Sequence, residues 1–232
     1  MALDALQRLR YARQLVMPEF PEPVMDRLFA CGALVHGTGL SMEICTLYMA
    51  AAGVGGVVLT SSVAETERVL SQLRAINPEC MAGVSEKLPD SVTAAVEIDF
   101  AGGTGAGTVE RALQAVAAGR VYLLVLRSGG VSVVMNVRRQ GACPACVLGA
   151  VNPYAAPCCA DASGQWSRIA HSCAVVSDDG IAGAVAASIA IGELAGYAAA
   201  PREALLLDPV SGRYTGIESG PTPGCPYCLL LG

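Results

Sequence analysis

The chain has 232 residues, of which 53% are hydrophobic and only 15% are charged, and its formal net charge at neutral pH is −5. A composition with so little charge and no basic cluster excludes nucleic acid as a partner, and it leaves apolar surface for a partner subunit to cover. The most apolar stretch, residues 180–200, contains Glu193 and four glycines, which favours a buried helix over a membrane span.

The first predicted elements alternate between helix and strand. Leucines at near-helical spacing predict a helix over residues 3–15, which the proline-rich stretch 18–23 ends. This amphipathic start lacks the apolar core of a signal peptide, so we expect a cytoplasmic protein. The next patterns predict a short helix, a strand, a helix, a strand and a helix, in that order, over residues 25–32, 33–37, 38–53, 56–61 and 62–77.

The later elements complete a mixed α/β pattern. Two strands, a helix and a further pair of strands separated by a double glycine are predicted over residues 79–86, 92–100, 108–119 and 121–137. Alternating strands and helices predict a Rossmann-like, doubly wound α/β sheet. The strands after the double glycine are expected to extend that sheet in antiparallel fashion.

The C-terminal part is less regular. Residues 141–172 show no clear period and are interpreted as a loop or crossover, the stretch 180–200 as a core helix, and 204–219 as a hairpin with its turn at Asp208–Gly212. We treat the chain as a single domain, residues 1–232. Its parts are the N-terminal helices, the Rossmann-like core and the crossover with the C-terminal region, over residues 1–30, 31–140 and 141–232.

Two Cys-Pro-x-Cys pairs, Cys143 with Cys146 and Cys225 with Cys228, are the clearest motifs in the chain. Reduced cysteines in a cytoplasm indicate metal or thiol chemistry rather than disulfides. The spacing within each pair lets both sulfurs face one tetrahedral ion at about 2.3 Å. We therefore predict one structural zinc ion, closed to further ligands, that joins the two pairs. A thiol oxidoreductase motif is the alternative.

The six other cysteines are less informative. Cys158 and Cys159 lie in a proline-flanked stretch without a basic neighbour, so we interpret them as turn residues rather than reactive thiols. Cys173 follows His171 and is either a thiolate or a small core residue. The remaining three are predicted to pack in the core: Cys31, Cys45 and Cys80.

A glycine turn follows the first predicted strand. Gly37 and Gly39 match the first two glycines of G-x-G-x-x-G, but Met42 holds the third position. This signal is weak by itself. A dinucleotide-binding oxidoreductase is a remote alternative, and the lack of an acidic residue at the end of the second strand argues against it.

Six segments together resemble the ThiF/MoeB/HesA family, the bacterial relatives of ubiquitin-activating enzymes. They are LRYARQLVMPEF (9–20), LYMAAAGVGGVVL (47–59), LRAINPE (73–79), CPAC (143–146), HSCAVVSDDGIAGAVAASIAIGELAGY (171–197) and CPYC (225–228). The resemblance implies a dimer that uses ATP and magnesium to adenylate the C-terminal glycine of a ubiquitin-like sulfur carrier protein. It implies zinc at the four paired cysteines and nucleotide contacts at Gly37, Gly39 and Asp99. An N-terminal arginine, Arg10 or Arg13, would reach into the neighbouring subunit's site or else pair on the helix surface.

The chain departs from this family where the nucleotide would bind. The segment whose Asn and Arg contact the phosphates is missing, and Glu65 and Thr66 stand near the family's lysine. Six further positions lack the glycine, acid or amide that the family carries: Leu40, Met42, Ser61, Ser62, Gly102 and Gly103. Because adenylyl transfer depends on preorganised positive charge around the triphosphate, these losses predict a chain that does not adenylate.

Two functions stay open. In the first, the protein is an inactive partner subunit of an active paralogue, or a module that binds a small carrier protein or peptide. In the second, it is an ATP- and magnesium-dependent adenylyltransferase in thiamine, molybdopterin or related biosynthesis, with the missing groups supplied by a partner subunit. The sequence does not distinguish a homodimer from a heterodimer, and it names neither the carrier nor the pathway.

Overall fold

The computed structural model describes residues 3–61, 64–100, 106–128, 131–137, 142–151, 176–197, 204–208, 212–218 and 220–230. The strands are β1 Cys31–Gly37, β2 Gly56–Leu59, β3 Met81–Val84, β4 Ala94–Phe100, β5 Val121–Ser128, β6 Val131–Val137, β7 Ala204–Asp208 and β8 Arg213–Ile217. The α-helices are α1 Ala5–Arg10, α2 Ala12–Leu15, α3 Glu22–Ala30, α4 Leu40–Ala52, α5 Ala64–Ile76, α6 Ala106–Ala117, α7 Pro144–Val151 and α8 Val176–Ala195.

The strands form one sheet in the order β3-β2-β1-β4-β5-β6-β7-β8. Strands β1 to β5 are parallel to one another, and β6, β7 and β8 continue the sheet in antiparallel pairs. The predicted Rossmann-like α/β sheet with an antiparallel extension is therefore confirmed. In such a sheet the loops at the carboxyl ends of the parallel strands form the usual ligand crevice.

The two faces of the sheet carry separate hydrophobic cores. Alternate residues of β1 and β4, such as Val35 and Ile98, pack with helices α3, α4, α5 and α8 on one face. The opposite face of β5 and β6 packs with α6 and α7, around Tyr122 and Met135. Because side chains alternate along a strand, His36, Glu97 and Asp99 point away from the α4–α8 side.

Helix α8 lies in the core against α4, as predicted for this stretch. Its buried face is made of alanines, including Ala182 and Ala186, and a Cβ at Gly183 would lie 2.4 Å from the Ser41 carbonyl oxygen. Small residues therefore allow the two helix backbones to approach closely. Within the described ranges, no helix combines the length and apolar character needed to cross a membrane.

Several element boundaries differ from the predictions. The predicted helix 3–15 is divided at Tyr11, and α8 begins at Val176 and ends before Gly196, which has a φ of 80°. Arg27 donates to the Ala195 carbonyl at 2.6 Å and so caps the last turn of α8. The prediction of a loop over 141–172 is wrong for Pro144–Val151, which is helical, and residues 152–175 lie outside the described part.

Candidate functional site

The glycine turn lies at the carboxyl end of β1, as the sequence predicted. Gly37 and Gly39 have φ values of 101° and 99°, in the region where glycine is favoured. A Cβ at Gly37 would lie 2.5 Å from the Phe100 carbonyl oxygen, whereas no atom lies within 4 Å of a Cβ at Gly39. Gly37 therefore allows β1 and β4 to approach at their ends, and Gly39 leaves open space beside the start of α4.

The two residues that follow Leu40 turn away from this space. Met42 is 2% exposed and packs in the core shared by α4 and α8. Ser41 donates a hydrogen bond to Asp179 of α8 at 2.6 Å. The residue at the third glycine position thus contributes to packing between helices.

The end of β2 presents hydroxyl groups instead of carboxylates. Ser61 is partly exposed there, and its carbonyl accepts a hydrogen bond from the Thr66 hydroxyl at 2.9 Å. Thr66 is buried, so its side chain holds the start of α5 and does not face the crevice. Ser62, Gly102 and Gly103 lie outside the described residues.

Asp99 is brought to the carboxyl end of β4, where it is only 2% exposed. Arg111 of α6 donates to Asp99 Oδ2 through Nε at 2.8 Å and through Nη2 at 2.5 Å, and the Tyr122 hydroxyl donates to the same oxygen at 2.7 Å. Burial, together with the charge of Asp99, raises the pKa of Tyr122 far above its ordinary value, so this hydroxyl remains a donor. One oxygen of this buried carboxylate, Oδ2, is therefore held by three donors of its own chain.

A second arginine near the glycine turn is paired in the same way. Arg68 of α5 makes a bidentate ion pair with Glu43 in the first turn of α4, with N–O distances of 2.5 and 2.6 Å. The hydrogen bond from Arg68 outweighs burial and holds the pKa of Glu43 below its ordinary value. The pair joins α4 to α5, and its two charges offset each other.

A third polar group, which the sequence did not predict, lies beneath the crevice. His36 Nε2 lies 2.7 Å from Glu97 Oε1, His36 Nδ1 lies 3.2 Å from Thr60 Oγ1, and Arg120 Nη2 lies 3.0 Å from Glu97 Oε2. Burial alone would raise the pKa of Glu97, but the hydrogen bonds and charges of His36 and Arg120 outweigh it and lower that pKa. Glu97 and Asp99, two residues apart in a buried strand, were the available signal.

The other basic side chains that could contact phosphate either lie away from the crevice or form no ion pair or hydrogen bond within the described ranges. Lys87 is the only lysine in the sequence, and it lies in the exposed loop after β3, two strands from β1. Arg10 pairs with Glu79 at 3.0 Å, which matches the alternative of a helix-surface ion pair. Arg13 is exposed and has no ion pair or hydrogen bond with any residue in the described ranges.

The four predicted ligand cysteines converge. The Sγ atoms of Cys143, Cys146, Cys225 and Cys228 all lie within 4.8 Å of one another. Cys143 and Cys225 are 3.6 Å apart, and Cys146 and Cys228 are 3.4 Å apart. The two sequence-distant pairs thus meet between α7 and the C-terminal segment, and they form a site that can hold a metal ion.

The geometry and hydrogen bonding of these thiols fit a tetrahedral ion. Metal–sulfur bonds of about 2.3 Å place the sulfurs of such a site about 3.8 Å apart, close to the separations found here. Backbone N–H groups of Cys143 and Thr222 donate to Cys228 Sγ and Cys146 Sγ at 3.4 and 3.3 Å. A backbone hydrogen bond from Cys228 lowers the pKa of Cys225 to about 7, whereas burial raises the pKa of Cys143 and that of Cys228. Metal binding would have to deprotonate these two thiols, so the affinity of the site should rise with pH.

The other cysteines fall into two groups. Cys31, Cys45 and Cys80 are buried, as predicted for packing residues. Burial raises the pKa of Cys80 to about 11, which keeps this thiol protonated and unreactive. Cys158, Cys159 and Cys173 lie outside the described residues.

Comparison with known proteins identifies the fold. No protein-family model matches the sequence, and no curated protein matches it. The crystal structure of E. coli MccB with ATP aligns with 97% of this chain and 75% of its own, at a TM-score of 0.71 and 14% identity. The Microcin C7 biosynthetic enzyme MccB in complex with N-formylated MccA gives a TM-score of 0.73 at 15% identity, covering 94% of this chain and 74% of that one.

A second protein has a similar structure. PaaA aligns at a TM-score of 0.66 and 12% identity, covering 94% of this chain and 74% of its own. Identities this low establish a shared architecture and nothing finer. The chain therefore has the Rossmann-type α/β fold found in MccB and PaaA.

Proposed function

We propose that this protein has the fold of the ATP-dependent adenylyltransferases without their activity. It serves as an inactive partner subunit of an active paralogue, or as a module that binds a ubiquitin-like sulfur carrier protein or a peptide. One observation carries this proposal. The two arginines described around the glycine turn, Arg68 and Arg111, are each neutralised by a carboxylate of the same chain.

The triphosphate of ATP requires cationic contacts. Adenylyl transfer needs fixed positive charge around the phosphates, and loss of a single preorganised donor costs about 10²–10³ in rate. Arg68 is paired with Glu43 and Arg111 with Asp99, while Lys87 lies two strands away. An ATP molecule would have to displace these internal ion pairs before it gained a contact with Arg68 or Arg111.

The positions where magnesium and the ribose of ATP would bind support the same conclusion. Arg111 and Tyr122 both donate to Oδ2 of Asp99, so a magnesium ion would have to compete with them for this oxygen. At the end of β2, Ser61 offers a hydroxyl where a carboxylate would grip the ribose. Magnesium prefers carboxylate oxygens in near-ideal octahedral geometry, and these residues do not provide it.

Isothermal titration calorimetry with ATP and magnesium tests the proposal. We expect no binding heat at millimolar ATP, with MccB, which crystallises with ATP, as the positive control under identical conditions. A dissociation constant in the micromolar range, about −8 kcal/mol, would contradict the proposal. The Arg111→Ala variant, which removes the Asp99 pair, shows whether any observed binding depends on that arginine.

The second candidate is an active adenylyltransferase completed by another subunit. Exposed Arg13, without a partner in the described ranges, favours it, since such a side chain is available to a neighbouring site. ATP–pyrophosphate exchange in the presence of a candidate carrier and a paralogue decides between the two. Exchange that requires this chain and is lost with Arg13→Gln supports the second candidate, whereas exchange by the paralogue alone supports the first.

We propose further that the four-cysteine site holds zinc in a structural role. The thiolate ligands, their tetrahedral spacing and their backbone hydrogen bonds suit this ion. Four protein ligands leave no open position for substrate or water. The ion would fix the C-terminal segment against α7 and supply no chemistry to the crevice.

A further inference from the structure

Strand β3 lies at one edge of the sheet, so one side of its backbone faces no other strand. The N–H groups of Met81 and Ser85 donate to the β2 side, at 2.8 and 3.0 Å. Because successive residues of a strand direct their backbone groups to opposite sides, those of Ala82 and Val84 point outward. Their N–H groups have no hydrogen-bond partner among the residues that the structure describes. Such an edge is a template for a further strand.

An arginine covers part of this edge. Arg74, in the last turn of α5, donates from Nη2 to the Ala82 carbonyl at 3.2 Å, and its side chain is exposed. Unlike Arg68 and Arg111, it forms no ion pair with a carboxylate of the described residues. The N–H group of an added strand can replace this single hydrogen bond. The guanidinium is then free to pair with an acidic side chain of that strand.

A groove of about 490 Å³ lies beside the edge, between β3 and the loop that follows it. Its apolar lining includes Met81, which is 43% exposed, and Leu88. A Cβ at Gly83, which also lines the groove, would meet no atom within 4 Å, so there is room at this position for a side chain from outside. Lys87 and Asp90 line the groove with opposite charges, so the groove itself carries little net charge.

We propose that β3 binds an extended peptide segment as an additional strand of the sheet. The outward backbone groups of Ala82 and Val84 form the main hydrogen bonds, and apolar side chains of the peptide enter the groove at Gly83. An acidic side chain of the peptide pairs with Arg74. The inference rests on the peptide-binding role proposed above and places the peptide at the edge of the sheet, outside the crevice.

Peptide display on the purified full chain tests the proposal. Random peptides of about eight residues are selected, and the enriched sequences are synthesised and titrated by fluorescence anisotropy. We expect alternating apolar residues together with an acidic residue, and dissociation constants of about 10–100 µM. In the nitrogen-15-labelled protein, the amide protons of Ala82 and Val84 should exchange more slowly once the peptide is bound.

Three substitutions at the edge separate the contributions. Val84→Pro removes an outward N–H group, which an edge strand tolerates, and should weaken peptide binding about 10-fold or more. Gly83→Leu fills the groove and should weaken it to a similar extent, about 10-fold. Arg74→Gln should weaken it about threefold and remove part of its salt dependence. Circular dichroism confirms that each variant is folded.

Two matched controls lie nearby and on the opposite edge. Glu86→Gln removes an exposed carboxylate from the loop after β3, and Tyr214→Asp places a charge on β8, where Tyr214 is 55% exposed. Neither should weaken peptide binding.

Three outcomes would overturn the proposal. The first is that no peptide is enriched. The second is that the enriched peptides bind Val84→Pro and Gly83→Leu as tightly as the wild type, which would retain a peptide-binding module but place its site elsewhere. The third is that, without peptide, the amide protons of Ala82 and Val84 become protected as protein concentration rises, because a second copy then occupies the edge. The ATP titrations are independent of all three outcomes.

Discussion

The two glycines of the turn after β1 are required for different physical reasons. Gly37 and Gly39 share a positive φ, which costs other residues about 1–2 kcal/mol. Gly37 alone also lies against the Phe100 carbonyl, 2.5 Å from where a Cβ would be. We therefore expect Gly37→Ala to lower the free energy of unfolding by about 2–4 kcal/mol and Gly39→Ala by about 1 kcal/mol. Urea unfolding of both variants measures the difference, and equal losses would contradict the close contact of β1 with β4.

The buried Glu97 gives the protein an acid-sensitive contact. Because the folded-state pKa of Glu97 lies below its unfolded value, the ionised carboxylate stabilises the fold above the ordinary pKa of about 4.3. That contribution is lost as the pH falls through the folded-state pKa. We expect Glu97→Gln to lower the free energy of unfolding at pH 7 by about 1–3 kcal/mol and to make its decline below about pH 5 shallower.

The control for this measurement is Glu86→Gln, which removes a carboxylate from the exposed loop after β3. Urea titrations at several pH values should show the wild-type slope for Glu86→Gln. If Glu97→Gln retains the full wild-type loss of stability in acid, His36 and Arg120 do not hold the Glu97 carboxylate as described.

Site residues could be predicted from the sequence only where their spacing in a motif fixes their geometry. The four cysteines were found because two Cys-Pro-x-Cys pairs each specify half of a tetrahedral site. The contact of His36 with Glu97 joins strands that are neighbours in space but separated by β2 and β3 in the chain. Such a pair depends on sheet order and register, which spacing along the sequence does not contain.

At the scale of elements, the approach of α4 to α8 is the most specific packing feature. A Cβ at Gly183 would meet the Ser41 carbonyl at 2.4 Å, whereas Gly192, in the same helix, has no atom within 4 Å of a Cβ. We expect Gly183→Ala to destabilise by about 2 kcal/mol or more because the helices must separate. Gly192→Ala should stabilise by up to about 1 kcal/mol through helix propensity. Thermal and urea unfolding of the pair test this, and stabilisation by both would rule out the tight contact.

Most helices and strands were predictable because their apolar periodicity is strong. The elements that were predicted wrongly differ for physical reasons. Helix α7 has no polar face, since its residues are apolar almost throughout, so no 3.6-residue period reveals it. Its start at Pro144 suits a first helical position, which is the signal that remained. Helix α8 begins at Val176 instead of the predicted residue 180, so Ser177, Asp178 and Asp179 belong to its first turn.

On the scale of the whole molecule, the sequence indicated an α/β sheet with an antiparallel extension, and the eight-stranded sheet confirms it. The right-handed rule for parallel strands fixes the face on which a crossover lies, but the position of β4 on the far side of β1 does not follow from it. The internal ion pairs of the crevice were not predictable, because they depend on how α5 and α6 lie over the strand ends.

The metal content of the purified protein tests the four-cysteine site. We expect about one zinc ion per chain by mass spectrometry of the purified protein, and much less for Cys225→Ser. Removal of the ion by a chelator should lower the melting temperature by several degrees, because metal binding contributes to folding. The Cys80→Ala variant removes a buried thiol outside the cluster and should keep its zinc. Full occupancy of the Cys225→Ser protein would contradict the four-sulfur site.

The contact between two distant cysteine pairs has a topological consequence. Cys143 and Cys225 are 82 positions apart, so a metal bridge between them closes a large ring of polypeptide without oxidation. A protease that cut one peptide bond inside that ring would leave two fragments still tethered through sulfur. They would travel as a single species on a native column, and separating them would require both extraction of the metal and unfolding of the sheet that β6 and β7 share.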